Sequence, residues 1–480
     1  TCGVVAALAL TLAVADAHAA DVLTGASALD PNFKAPPPPD PNAQAVKEIA
    51  EAVGDKGGRP LESRPGKAGK ASEFPEIAKT PGLKPDDDIK VVTDPWMGTE
   101  FHVNLTLSKQ WNEILGGNAA EWTGKVAPSV KPGMVITQEN YKSIADLDKL
   151  LPPQSYARLD PSAWDGITEI RVGETDEFFP PRPYLEATKN NKYTQEEFTV
   201  PNWKGGMPFP RVDKSDPKAG EKILINYLYR FWVDDGHFPF DWHQIGASDN
   251  LERTIKGLMF FARFTGRADL APPPAGWSAG NEDTLEKIST LVTAPKDLRG
   301  IALSRTRYLD IRKSDSLQIY LPALRRIRRL SGRDTQDPLV GTDVTWDDYV
   351  GFYQQINYAN TEVKLVGDGE ILHPSTYTKE VTVQKTDNKF KRIYLHNAQD
   401  YDDKMRVTHL KYERRPIWII DVISKDPSYM YSKRRLWVDK QTSEVIHAEN
   451  YDRKGNLYRV LRNAQYMDPI NGENGAWDWT

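Results

Sequence analysis

Cysteine is almost absent: Cys2 is the one cysteine in 480 residues. A disulfide within the chain is therefore excluded, and a packed core has to supply the stability. Long apolar runs are missing as well. The stretch from Gly3 to Ala15 is apolar but falls short of the about 20 residues that a membrane-spanning helix needs, and no other run comes closer. Charge of one sign is not in excess. The 62 Lys and Arg stand against 67 Asp and Glu, a net charge of −5, so the composition offers no general basic surface for nucleic acid. No repeat of fixed period is evident. What is present is material for a core. Hydrophobic residues make up 39% and aromatic residues 10%, with 13 Trp, in a chain long enough for one or two globular, β-rich domains.

The apolar run from Gly3 to Ala15 ends in Ala17-His18-Ala19, a small-x-small site. Residues 1–19 read as a secretory signal peptide cut after Ala19, against the alternative of a buried N-terminal helix. Cys2 precedes the run, whereas a lipoprotein cysteine would follow it, so no lipid anchor is expected. Export of a chain that then lacks cysteine fits a bacterial periplasm. Residues 20–88 are rich in Pro, Gly, Lys and Ala and read as an arm draped on the surface. Within it, Pro36 to Pro39 favour polyproline II, and only Ala43 to Val53 looks helical.

Residues 89–200 read as a helix-containing segment packed on a sheet. Thr137 is placed to cap a helix running to Leu151, which Pro152-Pro153 stops. A short helix is expected from Tyr184 to Lys192, and a more apolar one from Ala219 to Asp234, where Ile223, Tyr227 and Phe231 share a face. Residues 201–470 then read mainly as strands, and 471–480 as a tail. Strand candidates are 251–265, 300–312, 361–366, 378–384, 392–397, 405–413, 417–423, 433–439, 444–451 and 457–462. Asp283 to Leu291 reads as a short helix or a bent connection.

The chain is organised around Leu317 to Tyr349. Leu317, Ile319 and Leu321 alternate with Gln318 and Tyr320, the period of a strand with one buried face. Pro322 breaks the ladder. A basic strand from Arg325 to Leu330 follows, then a loop from Gly332 to Gly341 and an acidic turn from Asp343 to Asp348 that carries Trp346. A second informative strand is Ile417 to Ile423. Ile417, Ile419 and Ile423 lie on one face, and Trp418, Ile420 and Val422 on the other. Both faces are apolar apart from Asp421, so helices, a second sheet or a ligand must cover both sides.

The Leu317–Tyr349 stretch resembles the lipoprotein-sorting-like (LolA/LolB-like) domain of an uncharacterised family of Gram-negative periplasmic proteins. Val135-Ile136-Thr137, Gly205-Gly206-Met207-Pro208-Phe209-Pro210 and the meander from Tyr431 to Val460 agree with that family, so the resemblance covers most of the chain after about Lys131. It implies an α+β fold: a large curved antiparallel sheet, an incomplete barrel, with helices across its concave face. It also implies an envelope setting, with a transporter or outer-membrane protein as a partner.

Three constellations could carry chemistry. Gly276-Trp277-Ser278-Ala279-Gly280 matches G-x-S-x-G, but Pro272-Pro273-Pro274 stands where the motif needs an apolar strand, so a polar loop is the better reading. Asp234 to His243 gathers His237, His243 and three carboxylates, types that ligate divalent metals. No H-E-x-x-H spacing aligns them and Pro239 breaks any helix, so no metal is expected and the stretch reads as a surface loop with aromatic anchors. Arg325, Arg326, Arg328 and Arg329 form the densest basic cluster, suited to a lipid headgroup or an acidic partner. The plainer alternative pairs them with Asp343, Asp347 and Asp348. Lys433-Arg434-Arg435 is open to the same two readings. His409 and His447 stand alone in strand patterns.

The reading taken forward is a periplasmic binding or carrier protein for a hydrophobic molecule, a lipid or acyl compound, with no catalytic residue, no cofactor and no metal. Trp418, Ile420, Val422 and Tyr320 are the expected lining residues, and the four arginines the headgroup or partner contact. The alternatives are a non-catalytic docking protein of an envelope transporter and a metal-dependent enzyme using His237 and His243.

Overall fold

The computed structural model describes residues 66–80, 82–93, 100–163, 167, 169–246, 250–268, 283–331, 334–377, 380–384, 390–394, 411–472 and 474–479. The expected signal peptide, Pro36–Pro39, the 43–53 helix, the G-x-S-x-G stretch and His409 lie outside the described residues.

A small antiparallel sheet of β1 (Ala68–Lys70), β2 (Asp88–Thr93) and β3 (Glu100–Asn104) comes first. Phe74, Ile77 and Ile89 form a core beside it, so the end of the segment read as an arm is folded. Helix α1 (Leu105–Leu115) follows directly. The Asn104 side chain caps it by accepting from Leu107 N at 3.0 Å, and Gly116 ends it in the left-handed region, the usual pair of start and stop signals. Short helices α2 (Ala119–Trp122), α3 (Leu147–Leu150) and α4 (Pro153–Ala157) and strands β4 (Val135–Thr137) and β5 (Glu169–Val172) complete this region. The continuous helix expected after Thr137 is absent. Asn140 accepts from Thr137 N and donates to the Val135 carbonyl, and Asp146 has φ +60°. These local side-chain bonds favour turns over a helix.

Helices α5 (Arg182–Asn190) and α6 (Ala219–Leu228) precede a six-stranded antiparallel meander. Its strands are β6 (Asp235–Gly246), β7 (Asn250–Arg263), β8 (Thr284–Ala294), β9 (Ala302–Tyr308), β10 (Ser316–Leu321) and β11 (Arg326–Leu330), each paired with its successor. Two sequence expectations are corrected here. The stretch read as a loop around Pro239 is strand β6. Phe238, Phe240 and Trp242 alternate on it, and Pro239 is tolerated because β6 is the sheet's terminal strand. The stretch read as a helix or bend at Asp283–Leu291 is strand β8. Leu285 and Ile288 mimic a helical step, but Thr284, Ile288, Thr290, Val292 and Thr293 are β-branched, and pairing on both sides decides the outcome.

The second large sheet contains β12 (Thr361–Tyr377), β15 (Lys411–Ser424), β16 (Lys433–Asp439), β17 (Val445–Tyr451) and β18 (Leu457–Met467). Strands β13 (Glu380–Gln384) and β14 (Phe390–Tyr394) form a separate hairpin, and β19 (Asn474–Trp479) pairs with β18. β12 runs antiparallel to β15 from Thr361 to Pro374 and then parallel to β18 at Ser375–Tyr377. Since β15, β16, β17 and β18 pair in series, these strands close into a ring. A bulge at Leu365/Gly367 leaves Val366 without a partner on β15, and bulges also interrupt β16–β17 and β17–β18. Each adds bend and twist to the sheet.

Helix α6 lies against β12 and β15. Ile223, Leu224 and Tyr227 share a core with Ile420, Val422, Leu436 and Val438. Gly220 permits the contact: a Cβ there would stand 2.7 Å from Leu365 N, well inside van der Waals distance. The opposite face of β15 packs Ile417 and Ile419 with Ile371, Trp437 and Ile446. The chain is thus α+β, with large curved antiparallel sheets and few helices.

Candidate functional site

Residues paired across an antiparallel ladder point to the same side, and alternate residues to opposite sides. The register of the six-stranded sheet therefore defines its inner face. One row runs Phe238, Met259, Thr290, Leu303, Ile319. The next runs Phe261, Ile288, Arg305, Leu317, Leu330. The apolar members form one cluster with Trp232, Leu339, Trp346, Tyr349 and Val350.

The cover over this face is unusual in kind. It is a strap, residues 334–351, made of short 3-10 turns. Val340 and Val350 within it have φ of +47° and +44°, a region that β-branched residues rarely adopt. The strap holds the face through Tyr349, whose hydroxyl contacts the Met259 sulfur, and through Trp346, 2% exposed. Towards β6 the cover thins. Phe238, Phe240 and Trp242 are half-buried. Trp232 stacks on Phe238 at 6.2 Å, and Phe240 meets Trp242 at 4.9 Å. The result is an apolar rim beside an apolar floor.

One step further along the strands the same face becomes charged. Arg263, Glu286 and Arg307 form the next row, and all three are buried. Arg263 Nη2 is 3.3 Å from Glu286 Oε2. Arg305 Nε donates to Asp315 Oδ2 at 2.6 Å, and Arg307 Nη2 approaches the same oxygen at 3.3 Å. The two guanidinium groups lie 4.1 and 4.2 Å from the Tyr353 ring centre, while its hydroxyl donates to Glu286 Oε1. Burial alone would raise the Asp315 carboxyl, but Arg305 and Arg307 outweigh it and hold the group below its ordinary value. The Tyr353 hydroxyl is pushed well up by burial and by Glu286. Arg230 pairs with Glu444 at 2.7 Å beside this group.

The strap is locked to the ring by its two acids. Asp348 accepts from Arg434 at 3.0 Å, Arg459 at 2.7 Å, Tyr431 at 2.9 Å, Asn450 at 3.1 Å and Thr345 at 2.9 Å. Asp347 accepts from the Tyr429 hydroxyl at 2.8 Å. Its carboxyl is raised by burial, with Arg434 and Tyr429 opposing.

The residues singled out from the sequence are distributed differently. Ile420 and Val422 are buried under α6, with Trp418 half-buried beside them. Tyr320 stands on the other sheet, opposite Ile327 on the face away from the apolar floor. These four do not converge. Arg325, Arg326, Arg328 and Arg329 are exposed at the terminal strand β11, next to Leu324 and Ile327, which are 58% and 38% exposed. The pairing suggested for them is corrected: Asp347 and Asp348 are engaged by tyrosines, Arg434 and Arg459 instead. Within the second basic run, Arg434 is buried on Asp348, and Arg435 and Lys433 pair with Asp421. His243 Nδ1 lies 3.0 Å from Thr254 Oγ1, and the His237 side chain lies outside the described residues. Among the described residues no group of three or more His, Cys, Asp or Glu could hold a metal. A solvent-open groove of about 1070 Å³ beside α1, lined by Leu105, Lys109, Asn112, Glu113 and Glu121 among others, includes none of the expected residues.

The sequence reading missed Arg263, Arg305 and Arg307. A signal was present. In Leu303-Ser304-Arg305-Thr306-Arg307 the arginines fall in phase with Leu303, on the buried side of the strand.

A family model described as a protein of unknown function, DUF1329, matches residues 135–478. Among solved structures, the chain is similar to a DUF1329 family protein from Desulfovibrio piger, at 16% identity and TM-score 0.34, over 55% of this chain and 92% of that one. It is also similar to a Vibrio parahaemolyticus domain described as outer membrane lipoprotein-sorting, at 18% identity and TM-score 0.34, over 52% and 78%. A third is a LolA superfamily protein from Nitrosomonas europaea, at 15% identity and TM-score 0.28, over 51% and 76%. No curated protein matches.

Proposed function

This chain belongs to the DUF1329 family, and on that premise we propose that it is a periplasmic, non-catalytic protein that binds and carries a hydrophobic molecule, a lipid or acyl compound. One observation carries the reading. Most of the inner face of β6–β11 is an apolar floor, and its cover is a strap of short turns rather than a second sheet or a long helix. The floor ends in the half-buried rim of Phe238, Phe240 and Trp242. An acyl chain laid on it would leave water, with about 0.8 kcal/mol for each buried methylene. No cofactor enters this reading. The reading of residues 1–19 as an export signal and the lack of cysteine beyond Cys2 support the compartment.

The test is native mass spectrometry of the full chain purified from an envelope fraction. Retained mass corresponding to an acyl compound, lost in Phe240→Asp, is the expected result. A ligand-free mass together with no uptake of a fluorescent acyl probe would sink the reading.

A second reading has its own observation. Four exposed arginines, with Leu324 and Ile327 between and beside them, stand on a terminal strand. That edge suits docking to an acidic partner such as an envelope transporter. Carrier and docking roles are compatible, because floor and edge occupy different parts of the sheet.

A further inference from the structure

We infer that the hydrophobic molecule carried on the inner face is anionic, and that its headgroup is received by Arg263 and Arg305. The inference rests on the carrier reading above and adds the ligand's charge and the end at which it sits.

The geometry is a gradient along one face. On β7 the inward positions read Met259, Phe261, Arg263; on β8, Thr290, Ile288, Glu286; on β9, Leu303, Arg305, Arg307. Alternate residues of a strand are about 7 Å apart, so the change from apolar to charged takes a single step. An amphiphile has the same profile, an apolar chain ending abruptly in a charged head.

Within the group the guanidiniums outnumber the carboxylates they pair with. Three guanidinium groups, Arg263, Arg305 and Arg307, meet two carboxylates, Glu286 and Asp315. The buried Asp234, whose carbonyl accepts from Arg263 N, adds a carboxylate at the edge of this group. Arg230 and Glu444 pair with each other.

Donors are also left over. Arg263 is 2% exposed and Arg305 1%, yet among the described residues Nε and Nη1 of Arg263 and Nη1 of Arg305 make no hydrogen bond. A buried guanidinium N–H without an acceptor is costly. A carboxylate or phosphate ester presents the acceptors these atoms lack. Entry runs over the half-buried rim of Phe238, Phe240 and Trp242. The strap that must yield carries Val340 and Val350 in a strained backbone region, so its closed form is held by contacts and not by local preference.

The experiment measures binding of two fluorophore-bearing probes to the full chain, hexadecanoate and its methyl ester, with acetate as competitor. The expected result is a preference for the acid of about tenfold or more, the size of a charge-assisted hydrogen bond. Acetate leaves it unchanged. Arg263→Gln and Arg305→Gln bring the ratio towards one while ester binding persists, and Arg305→Lys keeps part of the preference. If the variants fail to fold, the wild-type ratio still decides. Equal binding of acid and ester overturns this inference and leaves the carrier reading standing. No binding of either probe overturns both. Displacement of hexadecanoate by equimolar acetate marks a site for free small anions and overturns the amphiphile.

Discussion

Asp348 and Arg434 meet at 3.0 Å, each side chain 1% exposed, and their contact ties the strap over one sheet to the ring formed by the other. The pair is desolvated on both sides, and Asp348 spends its remaining acceptor capacity on Arg459, Tyr431, Asn450 and Thr345. Such an arrangement tolerates loss of one partner poorly, because the other stays buried and charged.

Removing the carboxylate is therefore expected to be severe. Asp348→Ala should lower unfolding free energy by about 3–5 kcal/mol, the range for breaking a buried ion pair. Urea denaturation of the variant measures it. A loss near that of an ordinary surface substitution would mean that the strap is not anchored there.

The two faces of β15 should respond alike. Ile417 is 1% exposed and Ile420 0%, in separate cores. Ile417→Ala and Ile420→Ala should each cost about 2–5 kcal/mol through the void they leave. Uptake of an acyl probe should be unchanged in both, since neither belongs to the β6–β11 floor. Probe affinity falling selectively in Ile420→Ala would return the ligand to the α6 side.

Acid should weaken the fold through His373. Burial pushes its imidazole down to about 3, against the hydrogen bond to the Asn463 carbonyl. In the unfolded chain the group titrates near 6.5. Between those values the unfolded state binds a proton that the folded state refuses. Stability is therefore fully present above about pH 6.5 and falls as pH drops, by up to about 1.4 kcal/mol per pH unit. His447 is also lowered by burial and acts in the same direction. His373→Gln should show a shallower loss between neutral and acid pH in chemical denaturation. An identical slope would remove His373 from the account.

The arginine edge should be silent for stability. Arg326→Glu with Arg329→Glu should change unfolding free energy by no more than about 0.5 kcal/mol per site, as for exposed residues. Acyl-probe binding should be retained. Sedimentation with phosphatidylglycerol vesicles at low salt should fall, if anionic surfaces are what the edge meets. Unchanged sedimentation would confine the edge to keeping strands apart.

Much of the architecture was legible. Strands β16 to β18 were placed close to their observed bounds, β15 was expected as two strands, 405–413 and 417–423, where one runs from Lys411 to Ser424, and the two apolar faces of Ile417–Ile423 correctly required cover on both sides. Helix α6 was legible from Ile223 and Tyr227, although it ends earlier, at Leu228. The candidate site was less so. The phase of Arg305 and Arg307 with Leu303 was the one sign that they face inwards, and it is easily overruled, because arginine is ordinarily a surface residue and its burial depends on Asp315, Glu286 and Tyr353 arriving from elsewhere. Asp347 and Asp348 are neighbours in sequence of an arginine cluster, yet their distant partners come from β16, β17, β18 and the turn before β16. Strand β8 was ambiguous for a different reason: its apolar spacing fits both periods, and only its neighbours choose.

The ring has a consequence for the order of folding. Its closing contact joins Ser375–Tyr377 to Gln465–Met467, and the bond from His373 to the Asn463 carbonyl spans 90 residues. Contacts so far apart in the chain carry a high loop-closure cost, and proteins rich in them fold slowly. Until β18 has been made, β12 lacks a partner for its last residues and β17 has an open edge. Completion of the ring is then a late event that waits on the C-terminal strands. A chain shortened before Leu457 should stay soluble only briefly, since the unpaired edges it leaves are ready to join those of other copies.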